Sequence, residues 1–251
     1  PPGGFGVTNT LVSGNKIFDC RGNGDNVFIW GAAASYSSPG NATYAGTVIE
    51  DNEIYGSHRS GIEIAGGVTG LTIRNNVIYG NSSTVNGAPP DANLKWGNGV
   101  AVIRMGSDRT VCSAPGCDQL TITGNRIRDN EKCGVYFGPS NTNHVLAYNI
   151  FGNNGWDGVR VDLTELYYGG SATSCFNVAS NISMQHNSIV GAHGASTVGT
   201  PTNGFQLASL ENWWGDASGP KDVGTADGFN NPAGLGSEVT DWVNFDPWIG
   251  K

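Results

Sequence analysis

The sequence predicts an all-β solenoid of stacked coils, and three observations predict it: an excess of turn-forming residues, a repeat of 24 residues, and short segments in which apolar and polar side chains alternate. Of the 251 residues, 39 are Gly and 27 are Asn. Each Gly inside a helix costs about 1 kcal/mol against Ala, so long helices are disfavoured and many turns are expected. A hydrophobic fraction of 38%, with seven Trp, eight Tyr and nine Phe, supplies a packed interior and excludes ordinary disorder. No linker-like segment divides the chain, so residues 1–251 are expected to form a single domain.

Charge and cysteine content narrow the partners. A net charge of -8 argues against a nucleic-acid partner, whose phosphates would repel the chain. No apolar stretch approaches the roughly 20 residues that span a bilayer, so no membrane partner is expected. Pro1-Pro2-Gly3-Gly4 reads as neither a signal peptide nor an anchor, and the chain reads as a mature, soluble monomer. Cys112 and Cys117 bracket a Ser-Ala-Pro-Gly turn and are expected to close a small disulfide loop, which suits a secreted or extracytoplasmic setting. Cys20, Cys133 and Cys175 have no pairing that the sequence reveals.

Two interleaved motifs give the elements in order. Asn-x-Ile or Asn-x-Phe, with an apolar residue three places upstream, recurs in SGNKIFD, EDNEIYG, RNNVIYG, TGNRIRD, AYNIFGN and QHNSIVG, at Asn15, Asn52, Asn76, Asn125, Asn149 and Asn187. Between these lie strands opened by Gly: Gly61-Ile62-Glu63-Ile64, Gly99-Val100-Ala101-Val102, Gly134-Val135-Tyr136-Phe137, Gly158-Val159-Arg160-Val161 and Gly204-Phe205-Gln206-Leu207, with Asn26-Val27-Phe28-Ile29 beginning the series. Asn52 to Gly61, Asn125 to Gly134 and Asn149 to Gly158 are each 9 residues apart, and Gly61 to Asn76 and Gly134 to Asn149 are 15, which sums to 24. Three short strands of period two fit such a unit, and stacking the units buries a continuous core.

On these motifs, residues 7–215 resemble the right-handed parallel β-helix repeat superfamily, the solenoid of pectate lyases, alginate lyases and mannuronan epimerases. The resemblance implies about six to seven coils of three short strands, with inserted loops flanking one sheet. It implies that the recurring Asn side chains stack at a tight corner, bonding backbone groups of neighbouring coils. ENWWGDASGP and the later DPWI resemble the closing segment of secreted bacterial β-helix proteins, so residues 212–251 are expected to cap the last coil with Trp213, Trp214 and Trp248 as plugs.

Solenoids tolerate insertions at their turns, and departures from the 24-residue unit fall near residues 31–43, 105–118 and 163–180 after the Gly-opened strand, and near 82–97 and 192–203 before it. Loops on both sides would wall a groove whose floor is the outward face of that sheet. Side-chain alternation lists the floor as Phe28, Glu63, Ala101, Tyr136, Arg160 and Gln206, beside a second column of Trp30, Ala65, Ile103, Gly138, Asp162 and Ala208, with Arg104 displaced. The edge carries His58, Arg59, Lys95, Trp96, Lys132 and Asp157. Arg59, Lys95, Arg104, Lys132 and Arg160 are five of the 13 basic residues, so the groove is expected to be locally positive on an acidic protein.

That pattern points to β-elimination from a uronate polysaccharide such as alginate or pectate. Elimination needs a group to neutralise the carboxylate, a base for the C5 proton and an acid for the leaving oxygen. Tyr136 and Arg160 fall on adjacent coils about 4.8 Å apart, with Lys132 and His58 in support, and an Arg beside a phenol favours the phenolate. Glu63, Arg59, Lys95, Trp96, Arg104, Asp157, Asp162 and Gln206 are the expected substrate contacts. The resemblance implies the same groove and the same polysaccharide partner. Hydrolysis is the alternative, and needs two carboxyls about 5 to 9.5 Å apart. Strand spacing places Glu63 roughly 14 Å from Asp162, and Asp157 about 16 Å from Asp162 along one extended segment. A non-catalytic carbohydrate-binding or adhesive solenoid is a further alternative. No cofactor is expected to be required, no His/Cys spacing suggests zinc, and Ca2+ or another divalent cation is left open.

Overall fold

In the computed structural model the described residues are 7–22, 24–31, 42–83, 96–103, 116–164 and 179–251. Among them every regular element is a short strand, and all but Ala42–Thr43 and Val68–Thr69, which pair with each other, stack into three long parallel sheets. The first sheet has eight strands, running from Leu11–Ser13 through Val48–Glu50, Thr72–Arg74, Thr121–Thr123, Thr142–Ala147, Ser180–Gln185 and Leu207–Leu210 to Val243–Asn244. The second has six, from Lys16–Phe18 through Glu53–Tyr55, Val77–Tyr79, Arg126–Arg128 and Ile150–Gly152 to Ser188–Val190. The third has seven: Val27–Trp30, Ile62–Ala65, Val100–Ile103, Val135–Phe137, Val159–Asp162, His193–Val198 and Glu238–Val239. One circuit of the chain therefore visits each sheet once, and the coils are those of a parallel β-helix. Val48 pairs with Thr72, Val77 with Glu53 and Val135 with Val159, each 24 residues away, so the sequence period is the coil. No described helix is long and apolar enough to cross a membrane.

Inward side chains stack coil upon coil. Ile54, Ile78, Ile127, Phe151 and Ile189 form one buried file in the second sheet, and Ile49, Ile73, Ile122, Leu146 and Met184 another in the first. The corner between these sheets is the expected Asn ladder. Each Asn accepts from the backbone N–H and amide of the preceding ladder member at 2.8–3.0 Å, from Asn15 through Asn52, Asn76, Asn125, Asn149 and Asn187. The run ends on Asn212, one member beyond the sequence pattern. The residue before each Asn has a positive φ, supplied by Gly at positions 14 and 124 and by Asp51, Asn75, Tyr148, His186 and Glu211 elsewhere. A second, shorter ladder that the sequence motif did not reveal runs Ser57, Asn81, Asn130, Asn154 at the corner leaving the second sheet.

Two expectations about the coils need correction. The Gly204 segment does not open a strand of the third sheet: Gln206 precedes Leu207–Leu210, which belongs to the first sheet. Gly194 takes that place. A Cβ on Gly158 would meet Gly194 O at 2.8 Å, just as one on Gly134 would meet Gly158 O at 2.6 Å, which is why Gly recurs where adjacent coils nearly touch. The insertion expected at residues 192–203 accordingly contains the strand His193–Val198 itself. Segments 32–41, 84–95, 104–115 and 165–178, in which the other expected insertions fall, lie outside the described residues.

The last coil is closed by Trp214, fully buried with Phe245, while Trp248 packs partly against them and donates to Ala217 O at 3.2 Å. Trp213 is half-buried and stands apart from the plug. Cys117 is a free, buried thiol, as is Cys133, and Cys20 is free and half-buried; Cys112, and with it the expected Cys112–Cys117 closure, and Cys175 lie outside the described residues.

Candidate functional site

The outward face of the third sheet carries the expected column with one replacement. Phe28, Glu63, Ala101, Tyr136, Arg160 and Ser196 are direct partners across successive strands, so Ser196 stands where Gln206 was expected. Gln206 is half-buried and donates instead to Asp227 O at 3.5 Å. The expected open floor is also corrected. Glu63 is 1% exposed, Tyr136 and Asp162 are 0%, and Lys132 is 4%. Tyr136 packs with Ala65, Ala101, Ile103 and Cys133 in a second apolar cluster, bordered by Trp30 and Trp156. Alternation shows which face a side chain takes, but not whether that face meets water.

Two charged groups of the same design flank this cluster. In the first, Arg59 lies 4.4 Å from the Trp96 ring and reaches Asp25 at 3.5 Å and Glu63 at 3.6 Å. Asp25 also accepts from Ser60 N at 2.9 Å. Burial raises the Asp25 pKa above the usual carboxylate range, against the opposing pull of the Ser60 N–H and Arg59. In the second, Arg160 lies 5.4 Å from the Trp156 ring and reaches Asp157 at 3.1 Å and Asp162 at 3.5 Å. Ser196 Oγ donates to Asp157 Oδ2 at 2.9 Å, and Thr164 donates to Asp162 Oδ1 through N at 2.9 Å and Oγ1 at 2.8 Å. Lys132 sits 5.0 Å from the Trp156 ring. Burial works to lower the Arg160 pKa, but Cys133, Asp157 and Asp162 outweigh it and the pKa is raised, so the guanidinium stays charged. Burial pushes the Cys133 thiol above its usual range, which unsuits it as a nucleophile.

The second group overturns the 16 Å separation expected for Asp157 and Asp162. Both carboxylates touch one rigid guanidinium fork, through Nη1 and Nε, so their Oδ2 atoms fall below the upper limit of about 9.5 Å for a glycosidic carboxyl pair. The estimate failed because it measured backbone, whereas the two side chains lean towards the guanidinium between them.

His58 is not gathered into either group. Its Nδ1 accepts from Gly22 N at 3.1 Å and its own N–H donates to Cys20 O, so it holds a corner rather than attending Tyr136. Lys95 and Arg104 lie outside the described residues. The expected positive groove is corrected among the described members: Arg59 and Arg160 are each held by two carboxylates. Sequence reasoning missed Asp25 and Ser196. Asp25 directly precedes Asn26-Val27 at a strand start, and Ser196 was hidden because Asn187 to Gly194 is 7 residues rather than 9. No group of three or more His, Cys, Asp or Glu among the described residues is arranged to hold a metal ion.

A stack of parallel coils with paired carboxyls on its outer third sheet defines the protein's class as a β-helix with an acidic, arginine-bridged face. The chain belongs to the family described as right handed beta helix region, whose model matches residues 6–209. Among solved structures it is similar to XylC in complex with xylose (15% identity, TM-score 0.44, covering 67% of this chain and 22% of that one) and to the Agl-KA catalytic domain (18%, 0.45, 96% and 32%). A third is an alginate lyase from Paenibacillus sp. str. FPU-7, at 13% identity and a TM-score of 0.47, covering 97% of this chain and 74% of that one. The chain thus spans less than a third of the length of each of the first two. No curated protein sequence matches it.

Proposed function

We propose that the protein is a polysaccharide-active enzyme that hydrolyses glycosidic bonds with Asp157 and Asp162. What supports this reading is that both carboxylates reach the Arg160 guanidinium, at 3.1 and 3.5 Å, which keeps them below the upper limit of about 9.5 Å for a glycosidic carboxyl pair. One carboxyl protonates the leaving oxygen while the other meets water or the anomeric carbon. Asp157, at the strand entrance with its side chain 9% exposed, and Asp162, at 0%, divide these two parts between them. Arg160 and Ser196 hold Asp157 in place. This chemistry proceeds without a cofactor, and a polymeric substrate implies an extracytoplasmic setting.

Elimination from a uronate is the second reading, favoured by the direct pairing of Tyr136 with Arg160 across adjacent strands. Incubation with a panel of neutral and anionic polysaccharides separates the two. Hydrolysis releases reducing ends without an ultraviolet-absorbing unsaturated uronate, and Asp157→Asn or Asp162→Asn should each lower kcat by about 10²- to 10⁴-fold. Unsaturated product would establish elimination instead, and retention of a glycan with no cleavage would make the protein a binding module.

A further inference from the structure

We infer that the sugars taken by this face are uncharged, neutral glycan units rather than uronates. The inference rests on the reading of the third sheet as a glycan-processing face and names the substrate class of that site. Three described cations lie on the face, Arg59, Lys132 and Arg160, against four carboxyls, Asp25, Glu63, Asp157 and Asp162. Each guanidinium bridges two of those carboxyls at 3.1–3.6 Å. Lys132 is 4% exposed, packed on Trp156 and within electrostatic reach of Glu131, so it is an internal cation rather than a surface one. With four carboxyls against three cations, the described part of the face holds no excess positive charge.

A uronate entering here would bring a fifth carboxyl to a face whose cations already hold carboxylates. To be bound through its charge it would have to draw a guanidinium off two buried partners and leave them uncompensated, and like charges brought together are rejected strongly in such surroundings. A neutral sugar meets no such barrier: its hydroxyls donate to carboxylate oxygens and accept from guanidinium edges without changing the charge of the face. The electrostatics that keep Arg160 beside Asp157 and Asp162 therefore select for an uncharged ring.

The test uses matched polymers that differ only in charge: polygalacturonate, alginate and a glucuronan, each beside its carboxyl-reduced form, together with neutral glucans and xylans. Retention in affinity gels and release of reducing ends are both measured, at low and at raised salt. The expected result is a preference of at least about tenfold for neutral polymers that salt leaves unchanged. A charged polymer preferred in either measurement, with the preference weakening in salt, overturns the inference while its reducing ends still uphold hydrolysis. Neutral polymers retained but not cut uphold the inference and refute hydrolysis. If no polymer is retained or cut, both are refuted.

Discussion

Asn125 shows how much one residue of the ladder carries. Its amide donates to Ile73 O, Thr123 O and Asn149 Oδ1, and its carbonyl accepts from Asn76 N and Asn76 Nδ2, five contacts at 2.9–3.1 Å in a side chain that is 1% exposed. Asn125→Ala strands several buried groups at once, each worth about 1–3 kcal/mol. The variant should lose about 2–4 kcal/mol in urea denaturation. Asn15→Ala, at the exposed end of the same ladder, should lose no more than about 1 kcal/mol, and equal losses would contradict a cooperative ladder. At this scale the sequence was informative about spacing and uninformative about pairing. Asn15 to Asn187 were legible because one backbone geometry recurs at every corner; Arg59 with Asp25, and Asp157 with Ser196, were not, because their partners lie on different coils.

Among the elements, the strand Thr142–Ala147 points a histidine into the solenoid. His144 is fully buried, stacks on Phe137 at 5.0 Å, accepts from Leu120 N at Nδ1 and contacts Asn141 Oδ1 through Nε2 at 3.4 Å. Burial lowers its pKa from 6.5 to about 3. The unfolded chain then takes up a proton that the folded chain refuses, so this contribution is complete above about pH 6.5 and is lost as pH falls towards about 3. Through that window His144 should remove about 1.4 kcal/mol of stability for each pH unit. His144→Gln offers Leu120 N an acceptor that does not titrate, and urea midpoints at pH 7, 6, 5 and 4 should show a correspondingly shallower acid slope. An unchanged slope would assign acid sensitivity elsewhere. The strand His193–Val198 teaches the complementary lesson about elements: its Gly194 was overlooked because a turn two residues shorter than its neighbours broke the spacing, while Gly204 kept the composition of the motif without its place in the sheet.

For the molecule as a whole, the interior is a column open at its ends unless something closes it. Trp214, 0% exposed and pressed against Gly194, closes the C-terminal end. Trp214→Ala should cost about 3–5 kcal/mol, read as a lowered Tm, with half-buried Trp213→Ala costing far less. A similar loss for both would mean that the segment stabilises by covering surface rather than by filling the core. The coil of three strands, its 24-residue period and its Asn corner were legible in the sequence, because each depends on contacts between residues that recur at a constant interval; the tryptophan cap was implied only by the resemblance of the closing segment. The state of the third sheet's outer face was decided only in three dimensions. Alternation assigns Glu63, Tyr136, Arg160 and Asp162 to that face, but burial depends on what packs over it and ionic pairing on a few ångströms between side chains of separate coils. That is why a strip expected to be open and positive is instead, among its described residues, largely buried and bridged by carboxylates.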